Sequence, residues 1–128
     1  MATERARQRV LVVEDSADIA EALTVVLQTE GYDVVCATTR NQAVALLDDS
    51  IDYIICDYLM EGVGVAPFLA AVRVVLGRDL PVILCTAHAD GKLEATRLGL
   101  DFLAKPFEPD DVSKLLAARK AARATTPN

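Results

Sequence analysis

Short apolar runs alternate with amphipathic stretches along most of the chain. Arg9 to Glu14 (RVLVVE), Asp33 to Thr38 (DVVCAT), Asp52 to Asp57 (DYIICD), Pro81 to Cys85 (PVILC) and Asp101 to Ala104 (DFLA) are predicted strands. The first, third and fourth are nearly continuous in apolar residues instead of alternating, the mark of strands covered on both faces. Helices are predicted between and after them. Ser16 is placed to cap the first, with Asp18 and Glu21 in the early turns where the helix dipole favours acids. Its apolar stripe is Ile19, Leu23, Val26 and Leu27, and Gly31 stands where a left-handed terminator belongs. A capping box from Thr39 to Gln42 opens the second helix ahead of Val44, Leu46 and Leu47. The third spans about Val65 to Leu76, with Pro67 tolerated because it lies in the first turn. The fourth runs from about Ala89 to Leu98 and ends at Gly99. The fifth begins after Pro109 and carries Val112, Leu115 and Leu116.

Five βα units in series predict an α/β fold, an open, doubly wound parallel sheet with right-handed helical crossovers. Residues 9–120 are expected to form one domain, with loosely ordered ends at 1–8 and 121–128. A chain of 128 residues can bury one core and is too short for two. With 52% hydrophobic and 25% charged residues it is not a disordered sequence. No apolar run approaches the ~18 residues that a membrane helix needs. The polar start, MATERARQR, does not read as a secretory signal, so a cytoplasmic location is expected.

The net charge of −6 argues against direct nucleic-acid binding. The basic residues Arg5, Arg7 and Arg9, and Lys114, Arg119, Lys120 and Arg123, read as solvated ends and a wet helix face. Cys36, Cys56 and Cys85 lack ligand spacing and lie in strand-like runs, so buried, reduced thiols are expected.

In such sheets, sites form beyond the carboxyl ends of the strands. Those ends carry Glu14 and Asp15, then Asp57, then Thr86, then Lys105. Taken singly, each has an ordinary reading. Acids after strands cap helices, a loop Thr makes turns, and a lone Lys is solvated. Together they converge on one edge. Three clustered carboxylates repel one another unless a cation holds them, and oxygen ligands suit Mg²⁺. Asp57 is then a plausible nucleophile towards phosphorus, with Lys105 and Thr86 stabilising the transferring group.

The pieces VLVVEDS, YIICDYLM, PVILCTA and DFLAKPF carry a resemblance covering about Arg9 to Ala118: the chain resembles the receiver domains of two-component response regulators. That resemblance implies the CheY-like, flavodoxin-like sheet order 2-1-3-4-5. It implies Asp57 as phospho-acceptor from a histidine kinase or histidine phosphotransfer protein. Asp15, Asp57 and the Leu59 carbonyl would be Mg²⁺ ligands, with Glu14 acting largely through water. It further implies a small Ala87 leaving room for the phosphoryl group, a cis Lys105-Pro106 bond, and a switch formed by Thr86 and Phe102. Phe102 also fits an ordinary core aromatic. The resemblance implies a switch with self-catalysed phosphoryl transfer and autodephosphorylation, rather than a turnover enzyme. Its output face is the fourth helix, fifth strand and fifth helix, also a possible homodimer surface, and its downstream effector is not indicated.

Two departures from the family pattern fall in one loop. Glu61 replaces the usual proline, and Gly64 comes one residue early, so an unusual loop shape is expected. Leu59 and His88 lie at positions that in the family influence phosphoryl lifetime. Two other classes fit the sequence less well. A phosphate-silent binding module conflicts with the intact set of five site residues. An aspartyl phosphohydrolase would want an acid two residues after Asp57, where Leu59 stands. The turn EDSAD after the first strand is not a glycine-rich phosphate loop, so nucleotide chemistry is poorly supported.

Overall fold

The computed structural model describes residues 7–125. Its elements alternate: β1 (Arg9–Val13), α1 (Ala17–Thr29), β2 (Asp33–Ala37), α2 (Arg40–Ala45), β3 (Tyr53–Asp57), α3 (Val65–Leu76), β4 (Val82–Thr86), α4 (Ala89–Leu98), β5 (Asp101–Ala104) and α5 (Pro109–Thr125). The strands form one parallel sheet in the order β2-β1-β3-β4-β5. The order reverses between β1 and β3, which opens a crevice at their carboxyl ends.

The near-continuous apolar runs have a simple cause. Alternate residues of each central strand enter different cores. Val10, Val12, Tyr53, Ile55, Ile83 and Cys85 pack with Leu23 and Leu27 of α1 and Val112 and Leu116 of α5. Leu11, Val13, Ile54, Cys56 and Val82 pack with Ala43 of α2 and Phe68 and Val72 of α3. A third cluster joins Val65, Leu84 and Ala95, with half-buried Phe102 against it, and seats α4 on the sheet.

The helix signals act as expected where they are local. Ser16 Oγ accepts from the Ile19 N–H, and Thr39 Oγ1 from the Gln42 N–H. Gly31 follows the α1 cap with φ 94°. Three expectations change. Helix α2 stops at Ala45, so Leu46 is its exposed cap and Leu47 reaches the core from the turn. The turn is held by Asp48, whose Oδ1 accepts from the Ser50 N–H. Helix α5 continues past residue 120 to Thr125, because its last turns are rich in Ala and Arg and meet no Gly or Pro before Pro127. The remaining expected loose ends, residues 1–6 and 126–128, lie outside the described residues. Cys36 is exposed, since β2 is an edge strand that the helical layers cover only in part, whereas Cys56 and Cys85 are buried.

Candidate functional site

Strand ends bring the acids together. Glu14 follows β1 and its N–H bonds the Ala37 carbonyl, so the β1–β2 ladder fixes where it leaves the sheet. Asp57 is the last residue of β3. Glu14, Asp15 and Asp57 each offer a carboxylate oxygen within 4.8 Å of the others. Glu14 and Asp57 are 3% and 7% exposed, whereas Asp15 faces solvent. Such a mix, two walled acids and one open to water, presents a charged cluster at the mouth of a crevice.

Lys105 enters from the end of β5. Its N–H bonds the Thr86 carbonyl, which extends the β4–β5 pairing, and the Lys105-Pro106 peptide is cis. The ammonium Nζ lies 3.0 Å from Glu14 Oε1 and 3.1 Å from Asp57 Oδ1. Burial raises the Glu14 carboxyl above its ordinary range; the bonds from Lys105 and the Ser16 N–H oppose this without cancelling it. Burial draws the Lys105 ammonium down, but its bonds to Glu14 and Asp57, together with their charges, outweigh that and leave it raised. Three acids face one cation here, an imbalance suited to a hard dication with oxygen ligands.

Thr86, 1% exposed, ends β4. Its Oγ1 accepts from the His88 N–H at 3.0 Å, so the hydroxyl is engaged by its own loop. Ala87 and His88 are exposed, and His88 caps α4 by backbone position with no side-chain cap bond. Leu59 is 51% exposed in the β3–α3 loop. Phe102 packs, half-buried, against the cluster of Val65, Leu84 and Ala95.

Two residues beyond the sequence reading shape the site. Arg40 is 2% exposed, and its guanidinium reaches the carbonyls of Asp57 and Tyr58, both at 2.7 Å. A visible signal existed: Arg40 lies three residues before Ala43 and four before Val44, on the apolar face of α2. Gly91, in the first turn of α4, is buried against Thr86 and Tyr58. A Cβ there would fall 2.2 Å from Thr86 Cγ2. Only the assembled fold reveals that approach.

An apolar recess of about 430 Å³ lies beside Lys105, walled by Ile19 and Ala22 of α1 and by Pro106 and Phe107. A recess of similar size, about 470 Å³, opens at the amino-terminal ends of β4 and β5. Of its charged residues, Arg73 pairs with Asp79 and Arg119 with Asp101, each at 2.6 Å, and Arg78 donates to the Ile51 carbonyl. The carboxylate edge is therefore the chemical centre.

Comparison with known proteins agrees with this geometry. The family model described as "Response regulator receiver domain" matches residues 10–117. The DNA-binding response regulator MtrA of Mycobacterium tuberculosis is 35% identical over 123 residues, 91% of this chain and 50% of that protein. The phosphate regulon transcriptional regulatory protein PhoB of Pseudomonas aeruginosa is 32% identical over 114 residues, 85% of this chain and 50% of that protein. The chain thus spans about half the length of these curated relatives. Among solved structures, the chemotaxis response regulator CheY4 of Vibrio cholerae superposes with a TM-score of 0.77 at 30% identity, covering 88% of this chain and 98% of that one.

Proposed function

The chain belongs to the response regulator receiver domain family, and from that premise we propose that it is a phospho-accepting switch acting through Asp57. The family is one of signalling switches, and its kinase-fed chemistry fits the site described above. A histidine kinase or histidine phosphotransfer protein donates the phosphoryl group. An Asp57 carboxylate oxygen attacks phosphorus, a P–O bond forms, and the P–N bond to the donor imidazole breaks. The leaving imidazole keeps the electron pair and takes up a proton.

The observation that carries this reading is the carboxylate cluster, its two buried members Glu14 and Asp57 bridged by Lys105 and its third, Asp15, open to solvent. Asp15, Asp57 and the Leu59 carbonyl would hold Mg²⁺, with Glu14 behind them; the ion supplies charge neutralisation for the acids and the incoming oxygens. Lys105 then serves as a point charge on the phosphoryl group, and Thr86 as a hydroxyl donor once released from its loop. The apolar recess beside Lys105 gives a donor protein a surface to cover. We place the domain in the cytoplasm. Among the described residues, no helix is long and apolar enough to cross a membrane.

Incubation with acetyl phosphate and Mg²⁺, followed by intact mass, tests the assignment. The parent should gain one base-labile phosphoryl increment, lost in Asp57→Asn and stopped by EDTA. Undiminished labelling of Asp57→Asn would falsify the acceptor assignment.

A further inference from the structure

The β3–α3 loop, residues 58–64, carries the Leu59 carbonyl yet has little support of its own. Among the described residues, Leu59 to Val63 make no main-chain to main-chain hydrogen bond. At the far end of the loop, Gly64 caps α3 and its carbonyl accepts the first helical bond, from the Phe68 N–H, so the Val63 carbonyl lies outside the helical ladder.

Arg40 supplies what is missing. From the first residue of α2, its Nη1 donates to the Val63 carbonyl at 2.6 Å. Its Nη2 donates to the carbonyls of Asp57 and Tyr58, both at 2.7 Å, and its Nε to Cys56 Sγ at 3.4 Å. These contacts tie both ends of the loop to one planar group. Burying a cation costs free energy unless its donors are met. Here the acceptors are carbonyls and a thiol; no carboxylate pairs with Arg40 among the described residues. A salt bridge for stability is therefore not its role.

The Tyr58 carbonyl and the Leu59 nitrogen share one rigid peptide plane. Fixing that carbonyl fixes the peptide that enters Leu59. The Asp57 carbonyl, held by the same nitrogen, fixes the backbone from which the acceptor carboxylate projects. We propose that Arg40 is a positioning residue for the acceptor site, its guanidinium holding the β3–α3 loop so that the Asp57 carboxylate and the Leu59 carbonyl together meet the divalent cation. This rests on the receiver reading above and extends it to a residue on a different βα unit. The contribution is geometric, since the Arg40 charge by itself repels a dication. A lysine cannot replace it, because an ammonium is a point donor without the planar fork that spans residues 57, 58 and 63.

The test uses the whole chain with Arg40→Met, Arg40→Lys and, as a control for lost stability, Leu27→Ala in the remote core under α1. Amide shifts titrated with Mg²⁺ give its Kd, and urea midpoints rank stability. Both Arg40 variants should bind Mg²⁺ at least fivefold more weakly. Their labelling by acetyl phosphate should fall at low Mg²⁺ and recover at saturating Mg²⁺. Leu27→Ala should keep its Mg²⁺ affinity within twofold. A folded Arg40→Met or Arg40→Lys that binds Mg²⁺ within twofold of the parent overturns the proposal. So does unfolding of both where Leu27→Ala stays folded, because Arg40 would then serve the fold and not the site. Failure of the parent itself to bind Mg²⁺ or take up label sinks the receiver reading instead.

Discussion

Reactivity at the scale of single residues is set by burial more than by residue type. Cys56 and Cys85 are pushed up to about 11 and about 12, chiefly by burial, while Cys36 stands exposed on the edge strand. The Arg40 contact and charge draw Cys56 back only in part, and Lys105 does the same for Cys85. At pH 8 a thiol with a pKa near 11 is roughly one part in a thousand thiolate, the only form that attacks. The native protein should therefore take one adduct from a neutral alkylating reagent at pH 8, located by peptide mapping at Cys36. In denaturant it should take three. Two or more rapid native adducts would mean that the β3 and β4 cores open far more readily than their packing implies.

At the scale of an element, α4 is the informative helix. It docks through Gly91 and Ala95, the two small residues that let its backbone approach β4. Gly in a helix interior ordinarily costs about 1 kcal/mol relative to Ala, so Gly91→Ala would be stabilising if the surroundings were open. They are not: the added Cβ lies 2.2 Å from Thr86 Cγ2 and 3.1 Å from Tyr58 Cδ2. Overpacking of this kind costs about 1–3 kcal/mol, so the overpacking wins. Gly91→Ala is expected to lower the urea midpoint, by about 1 kcal/mol of net stability. In a Thr86→Ser background, which removes the offending methyl, the loss should shrink by at least half in a double-mutant cycle. Equal losses in both backgrounds would show that Thr86 is not what α4 rests on.

Across the whole molecule, the contacts of Thr86 are the route by which the proposed acceptor would reach the α4-β5-α5 face. Thr86 touches the α4 amino terminus, bonds its own loop through His88, and shares with Lys105 the main-chain pairing of β4 and β5. If the hydroxyl turns towards a phosphoryl group at Asp57, the methyl leaves Gly91 and the packing around Tyr58 and Phe102 changes. The α4-β5-α5 surface, with Glu94, Arg97, Asp101, Phe102, Asp111 and Lys114, would be the reader of that change. Beryllofluoride, a phosphoryl mimic, should move backbone amide shifts across residues 90–115. In Thr86→Ala, phosphorylation should persist while most of those shifts disappear. Shifts confined to the loops around Asp15 and Asp57 would rule out this face as the output.

Much of the fold was readable because its causes are local or periodic. Apolar runs marked the strands, and Ser16 and Thr39 marked helix starts by chemistry that acts within one turn. The candidate acids, Thr86 and Lys105 stood at the ends of the first, third, fourth and fifth strands, so a doubly wound parallel sheet was enough to gather them. What the sequence could not settle depends on how far the helical layers cover an edge strand and which backbones touch. Cys36 reads like its two buried counterparts until the packed helices leave its position on β2 uncovered. Arg40 and Gly91 act on residues 17 and five positions away, through contacts that exist only after α2 and α4 have packed. A hydrogen bond or a steric limit between elements is a property of their docking, and docking distances are not written in the period of the chain.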